Sequence, residues 1–167
     1  MPQGTRERPF VLPGSLASQA LDRVDYLDVF SAPVPKRATL DEVAARVLGG
    51  RPPWLMRLRD ALVRPFGLKT PPPGPRKPQR FVEGGRVGLF RVFARSEEEL
   101  VLGEDDKHLD FRVCLRVLGD GEATLATLVR FHNGWGRAYF ACVRPFHGLI
   151  VKGMLRRAGA HPVSESN

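Results

Sequence analysis

The chain has 167 residues, 43% of them hydrophobic, enough to bury the core of one domain and too apolar for whole-chain disorder. Its 26 Lys and Arg against 18 Asp and Glu leave a formal charge of +8, a balance that favours anionic partners, although the excess of arginine over lysine is also what a GC-rich genome produces. No apolar run approaches the about 20 residues of a membrane-crossing helix.

Residues 1–20 carry Pro, Gly and Ser without periodicity and are expected as a flexible N-terminal arm. They hold two arginines but no continuous apolar stretch of the kind a secretory signal needs, so a cytoplasmic chain is expected. Residues 24–30 are rich in β-branched and aromatic side chains and predict a first strand, ended by Pro33 and Pro35. Thr39, with Glu42 three positions on, forms a capping box. The helix it opens lines up Leu40, Val43, Ala44, Val47 and Leu48 before Gly49-Gly50 stops it. A second helix is predicted from Pro52-Pro53-Trp54, striped by Leu55, Leu58, Leu62 and Val63. Residues 70–79 are Pro-rich and basic, an extended connector or flap.

From Gly85 the hydrophobic period becomes two. Strands are predicted over 86–95, 98–104, 108–118 and 122–132, with a short extra one at 80–82. Gly119-Asp120-Gly121 is a hairpin turn. Asn133-Gly134 ends the sheet, and a helix follows over about 136–157, with Tyr139, Val143, Phe146, Ile150 and Met154 as its apolar stripe, widened by Ala138, Leu149 and Leu155, and Pro145 expected to kink or divide it. Residues 21–158 thus read as a single α+β domain followed by a frayed tail over 159–167.

The hairpin fixes a register in which Leu109 faces Phe131, Phe111 faces Val129 and Leu115 faces Leu125, while Asp110 faces Arg130 and His108 faces His132. A turn at 105–107 would set Glu99 against Arg112 and Leu100 against Phe111. Two readings of the polar group His108, Asp110, Arg112, Arg130 and His132 stand open: a salt ladder on the solvent face, or the rim of a ligand cavity. His108 and His132 lack an acidic partner of metal-binding geometry, so no metal is assigned. Continuing the register puts Arg91 opposite Leu102, on the apolar face with Phe93 and Glu104, where an arginine needs an anionic partner. Cys114 and Cys142 form no CxxC pair and are expected as reduced, buried thiols. Phosphate-loop, dinucleotide, zincin and nucleophile-elbow motifs are missing, so no cofactor and no catalytic residue is implied.

Several motifs carry a resemblance. Asp25-Tyr26-Leu27-Asp28-Val29-Phe30, Arg59-Asp60-Ala61-Leu62-Val63, Phe66-Gly67-Leu68-Lys69-Thr70, the stretch 103–112 and the helix over 140–158 look like the bacterial family catalogued as domain of unknown function 2867. That resemblance implies no activity and no catalytic residues. The element order separately resembles the helix-grip (START-like, SRPBCC) superfamily, in which a curved antiparallel sheet grips a long C-terminal helix. It implies a cavity for lipids, hormones, polyketides or aromatic compounds, and sometimes cyclase or hydrolase activity. The superfamily has six strands between its helices, more than the four clear ones found here.

The function expected is therefore binding of a small hydrophobic or anionic amphiphilic ligand between sheet and C-terminal helix. Arg91, Phe93, Glu104, Phe111, Phe131, Tyr139, Phe146 and His147 would line the site. Two alternatives stay open: an enzyme using His108, Asp110 or His132 as acid or base, and a basic module binding protein or, less readily, nucleic acid through Arg57, Arg64, Arg76, Lys77 and Arg80.

Overall fold

The computed structural model of the chain describes residues 14–49, 81–88 and 90–159. The predicted second helix, the Pro-rich connector and the basic residues Arg57, Arg64, Arg76, Lys77 and Arg80 lie outside that set, as do residues 1–13 and 160–167.

Local rules account for most of the elements. The first strand, β1 (Tyr26–Pro33), runs three residues past its expected end. Pro33 is tolerated because β1 is an edge strand, where a missing N–H removes no bond from a central ladder. Helix α1 (Leu40–Gly49) opens on the expected capping box. The Thr39 N–H donates to Glu42 Oε2 at 2.9 Å, and the Glu42 N–H donates to Thr39 Oγ1 at 3.3 Å. All five residues of its predicted stripe are buried.

Five strands follow: β2 (Arg86–Val87), β3 (Phe90–Arg95), β4 (Glu99–Asp105), β5 (Leu109–Leu118) and β6 (Glu122–Phe131). The expected strand over 86–95 is thus split in two. Phe81 and Val82 lie outside any strand, although Phe81 is deeply buried. With β1 the strands form one antiparallel sheet in the order β1-β6-β5-β4-β3-β2. Helix α2 (Gly134–Gly159) crosses one face of this curved sheet and runs through Pro145 as a single element. The architecture is α+β and helix-grip-like.

Register was legible at one hairpin and misplaced at two. β5 and β6 pair as expected, Leu109 with Phe131 and Asp110 with Arg130. Between β4 and β5 the chain turns at Lys107-His108, two residues later than expected, closed by the Asp106 N–H donating to the Leu109 carbonyl at 3.1 Å. The ladder consequently shifts by four: Glu99 faces Arg116 and Arg112 faces Gly103. The turn between β3 and β4 comes one residue later than expected as well, at Glu97-Glu98, closed by the Ser96 N–H donating to the Glu99 carbonyl at 2.8 Å. A bulge at Phe93, between the paired residues Val92 and Ala94, takes back one of the two positions gained. Val92 rather than Arg91 then opposes Leu102, and Arg91 is exposed.

The main core lies between the inner face of the sheet and the two helices. Leu100, Leu102, Leu115 and Leu125 from the strands meet Val43, Val47, Val151 and Leu155 from the helices. A second cluster covers the outer face. There Val101, Cys114, Ala126 and Leu128 are capped by Ala17 of the short 3-10 turn Leu16–Gln19. Residues 15–20, expected as part of the arm, are therefore packed on the sheet, with the Leu16 N–H donating to Glu99 Oε2 at 2.7 Å.

The inner stripe of α2 shares only Leu155 with the expected one. Phe140, Val151, Leu155 and Ala158 are buried, whereas Tyr139, Val143, Ile150 and Met154 lie on its flank and Phe146 points outward. Small residues decide this rotation. A side chain on Gly136 would collide with the His108 carbonyl oxygen, and one on Gly159 with that of Pro33. Both ends of the helix thus approach the sheet more closely than any Cβ allows. Gly136→Ala should lower unfolding stability by about 1–3 kcal/mol through overpacking. Gly153→Ala, with nothing within 4 Å of the added Cβ, should raise it by about 0.5–1 kcal/mol. Urea denaturation of the two variants checks the opposite signs.

Candidate functional site

Strand alternation sends Tyr26, Asp28 and Phe30 of β1 to the inner face, where Asp28 is opposite Thr127 and Tyr26 opposite Val129 on β6. Helix α2, pinned at both ends, lowers His147 onto this pair of strands. His147 Nε2 lies 3.1 Å from Asp28 Oδ2 and 3.1 Å from Thr127 Oγ1. The Tyr26 hydroxyl donates to the same Asp28 oxygen at 2.9 Å. An ionised carboxylate only accepts, so Nε2 is the protonated ring nitrogen in this arrangement.

Aromatic rings close around the polar group. Tyr26 meets Phe140 edge-on at 4.6 Å between ring centroids, Phe131 lies 5.5 Å from Phe140, and the His147 ring lies 6.4 Å from it. Leu109, Val129, Phe111 and Tyr139 complete the cluster.

Burial opposes ionisation of Asp28, yet the hydrogen bonds and charge of His147, with the Tyr26 and Thr127 hydroxyls, hold its carboxyl below the usual range. Burial first, and then the adjoining Asp28 carboxylate, push the Tyr26 phenol up to about 12. Asp28 Oδ1, the other carboxylate oxygen, is buried without a hydrogen-bond partner among the described residues. A buried acceptor left open in an aromatic setting is where a donor from outside the chain can be recognised.

The outer face carries the charged group that the sequence suggested. Asp110 is only 4% exposed. Its Oδ2 meets Arg130 Nη2 at 2.9 Å and His132 Nε2 at 2.8 Å. Asp22 also pairs with Arg130, whose guanidinium holds the Asp22 carboxyl below its ordinary value, while Asp22 raises Arg130 further. Gly103, facing Arg112, leaves room for that buried side chain to cross β4. Its guanidinium stacks 3.5 Å from the centre of the Phe93 ring and pairs with Asp105 at 2.7 Å. Glu99 is paired with Arg116 and the Leu16 N–H rather than with Arg112.

The structure separates the residues that were expected to form one site. Phe111, Phe131, Tyr139 and His147 do come together on the inner face. Glu104, the cross-strand neighbour of Phe111 on β4, turns instead to the β2 edge and pairs with Arg86 at 2.5 Å. Arg91 and Phe93 belong to the outer face, and Phe146 is 46% exposed. Asp110 and His132, with His108 in the adjoining turn, sit on the side of the sheet away from α2. Asp110 and His132 thus lie on the opposite face of the sheet from the inner cluster. Cys114 is buried, and burial followed by the charge of Glu99 pushes its thiol up to about 12, but Cys142 is exposed, contrary to expectation.

Sequence reasoning missed Tyr26, Asp28 and Thr127. One signal was available: Asp28 occupies the apolar phase of the strand, between Tyr26 and Phe30.

Fold and site together define a helix-grip-like α+β domain with a partly buried Tyr–Asp–His group between sheet and C-terminal helix. The chain belongs to the family described as protein of unknown function, DUF2867, whose sequence model matches residues 20–154. No curated protein and no solved structure gives a significant match.

Because the folded carboxyl of Asp28 is depressed, its contribution to stability is present above the unfolded value of about 3.9 and is lost as pH falls through the folded one. Asp28→Asn should therefore cost about 1–3 kcal/mol near neutral pH, with the gap to wild type closing below about pH 4; denaturation at a series of pH values checks this. The chain has two tyrosines. In a Tyr139→Phe variant, ultraviolet titration should show the remaining phenol ionising near 12, and ionisation at the ordinary value of about 10 would contradict its burial against Asp28.

Proposed function

We propose that this domain binds a small hydrophobic or amphipathic molecule on the inner face, beneath the N-terminal half of α2. The observation that supports this most is the open Oδ1 of Asp28, a buried acceptor whose hydrogen-bond partners Tyr26 and His147 both lie against the Phe140 ring. Sites for small molecules combine mostly apolar walls with a few placed polar groups. A ligand hydroxyl or amine would donate to Asp28 while its apolar part lies against the rings. The anionic amphiphile first expected loses its rationale, since Arg91 faces away and the polar end of this site is itself a carboxylate.

Binding to the folded state raises the melting temperature by mass action. Neutral or cationic aromatic alcohols, phenols and amines should raise it for the wild type, and fatty acids should not. Asp28→Asn should weaken the effective compounds about tenfold, the loss expected for one hydrogen bond to a charged acceptor. Native mass spectrometry of the purified protein provides a second readout, a retained mass that Asp28→Asn sheds. No shift across the panel together with no retained mass, or equal shifts in the variant, would overturn the proposal.

A further inference from the structure

Helix α2 is apolar on two sides, and only one of them grips the sheet. On the opposite side Phe146 is 46% exposed and Leu149 70%. Exposed Ala138 and Cys142 continue the same line at helical spacing toward Trp135, itself 66% exposed. The helix also carries Arg137, Arg144, Lys152, Arg156 and Arg157 and no acidic residue in its whole length. Arg137, Arg144 and Lys152 lean back over the rings of Phe131, Tyr26 and Phe30. At 100° per residue Lys152 and Arg156 fall along one margin of the exposed stripe and Arg157 along the other.

We propose that this outward face of α2 docks the protein on an anionic phospholipid surface. Large apolar side chains flanked by cations suit the boundary between headgroups and acyl chains, where the apolar groups enter and the cations stay with the phosphates. The helix is not long and apolar enough to cross a membrane, so it lies on the surface. A second copy is a poorer occupant, because pairing two such helices brings like charges together with no acid to offset them. Nucleic acid would satisfy the cations and leave Phe146 and Leu149 stranded against water and phosphate. This surface faces away from the Asp28 group and does not depend on it.

The test is co-sedimentation with vesicles of phosphatidylcholine alone or mixed with phosphatidylglycerol, at low and raised salt. The protein should sediment with the mixed vesicles, release as salt rises, and stay in solution with phosphatidylcholine alone. The pairs Phe146→Ser with Leu149→Ser, and Lys152→Gln with Arg156→Gln, should each lower partitioning by at least about tenfold. Unchanged melting temperatures would show that both variants remain folded. Failure to bind mixed vesicles, or undiminished binding by the folded Phe146/Leu149 variant, would overturn the proposal. So would binding to duplex DNA that the Lys152/Arg156 variant loses while vesicles go unbound.

Discussion

The close approach of α2 to the sheet is the constraint on which the rest of the molecule depends. At its two ends the helix backbone rests on the carbonyls of His108 and Pro33, at distances that only glycine allows. Those contacts fix the rotation of a helix whose hydrophobic pattern does not choose one. Val151, Leu155 and Ala158 are turned into the main core, where Val43 and Val47 of α1 complete the packing. The same rotation sets His147 over Asp28 and directs Phe146 and Leu149 away from the sheet. A helix turned by one further residue would bury Phe146 and lift His147 out of reach of β1.

Asp110 on the outer face of the sheet and Asp28, partly buried on the inner face, are treated differently. Asp110 is answered by Arg130, a permanent cation, and by His132. Arg130 in turn is shared with Asp22, so the outer group is a network whose charges are matched. Burying charge costs several kcal/mol per ion unless it is paired in this way. Asp28 has no arginine or lysine paired with it among the described residues. It is held by a phenol and an imidazole, with the Thr127 hydroxyl beside them, and its Oδ1 has no hydrogen-bond partner there. The outer cluster therefore reads as a structural strap that ties β5, β6 and the segment before β1 together. The inner one keeps an unused capacity to accept a hydrogen bond.

How much of this was legible depended on how many local signals agreed. For α1 the cap, the stripe and the stop pointed to one helix, and that helix formed. The hairpin between β5 and β6 was equally overdetermined, by Gly119-Asp120-Gly121 and by matched side chains along both strands. The preceding turn was not. Glu104, Asp105, Asp106, Lys107 and His108 are all polar, so each offers a turn position, and a slip of two residues displaced the ladder by four. The bulge at Phe93 was beyond pattern reasoning, because alternation counts residues and a bulge adds one. On α2 the sequence offered two apolar faces, and the larger side chains drew the choice to the wrong one; the small residues that permit contact carry little hydrophobic signal. The site suffered in proportion. Phe111, Phe131, Tyr139 and His147 were identified for their apolar setting, while Asp28 was passed over in a strand read only for its β-forming residues.

The most direct test of the placement of α2 over the sheet is a double-mutant cycle between Asp28→Asn and His147→Gln, read by chemical denaturation at neutral pH. The two side chains belong to elements far apart in sequence and meet only if the helix is rotated as described. A coupling energy of about 1–3 kcal/mol is the expected result for a buried, charge-assisted contact. Losses that add to within about 0.3–0.5 kcal/mol would contradict it, since that is the behaviour of sites that do not touch.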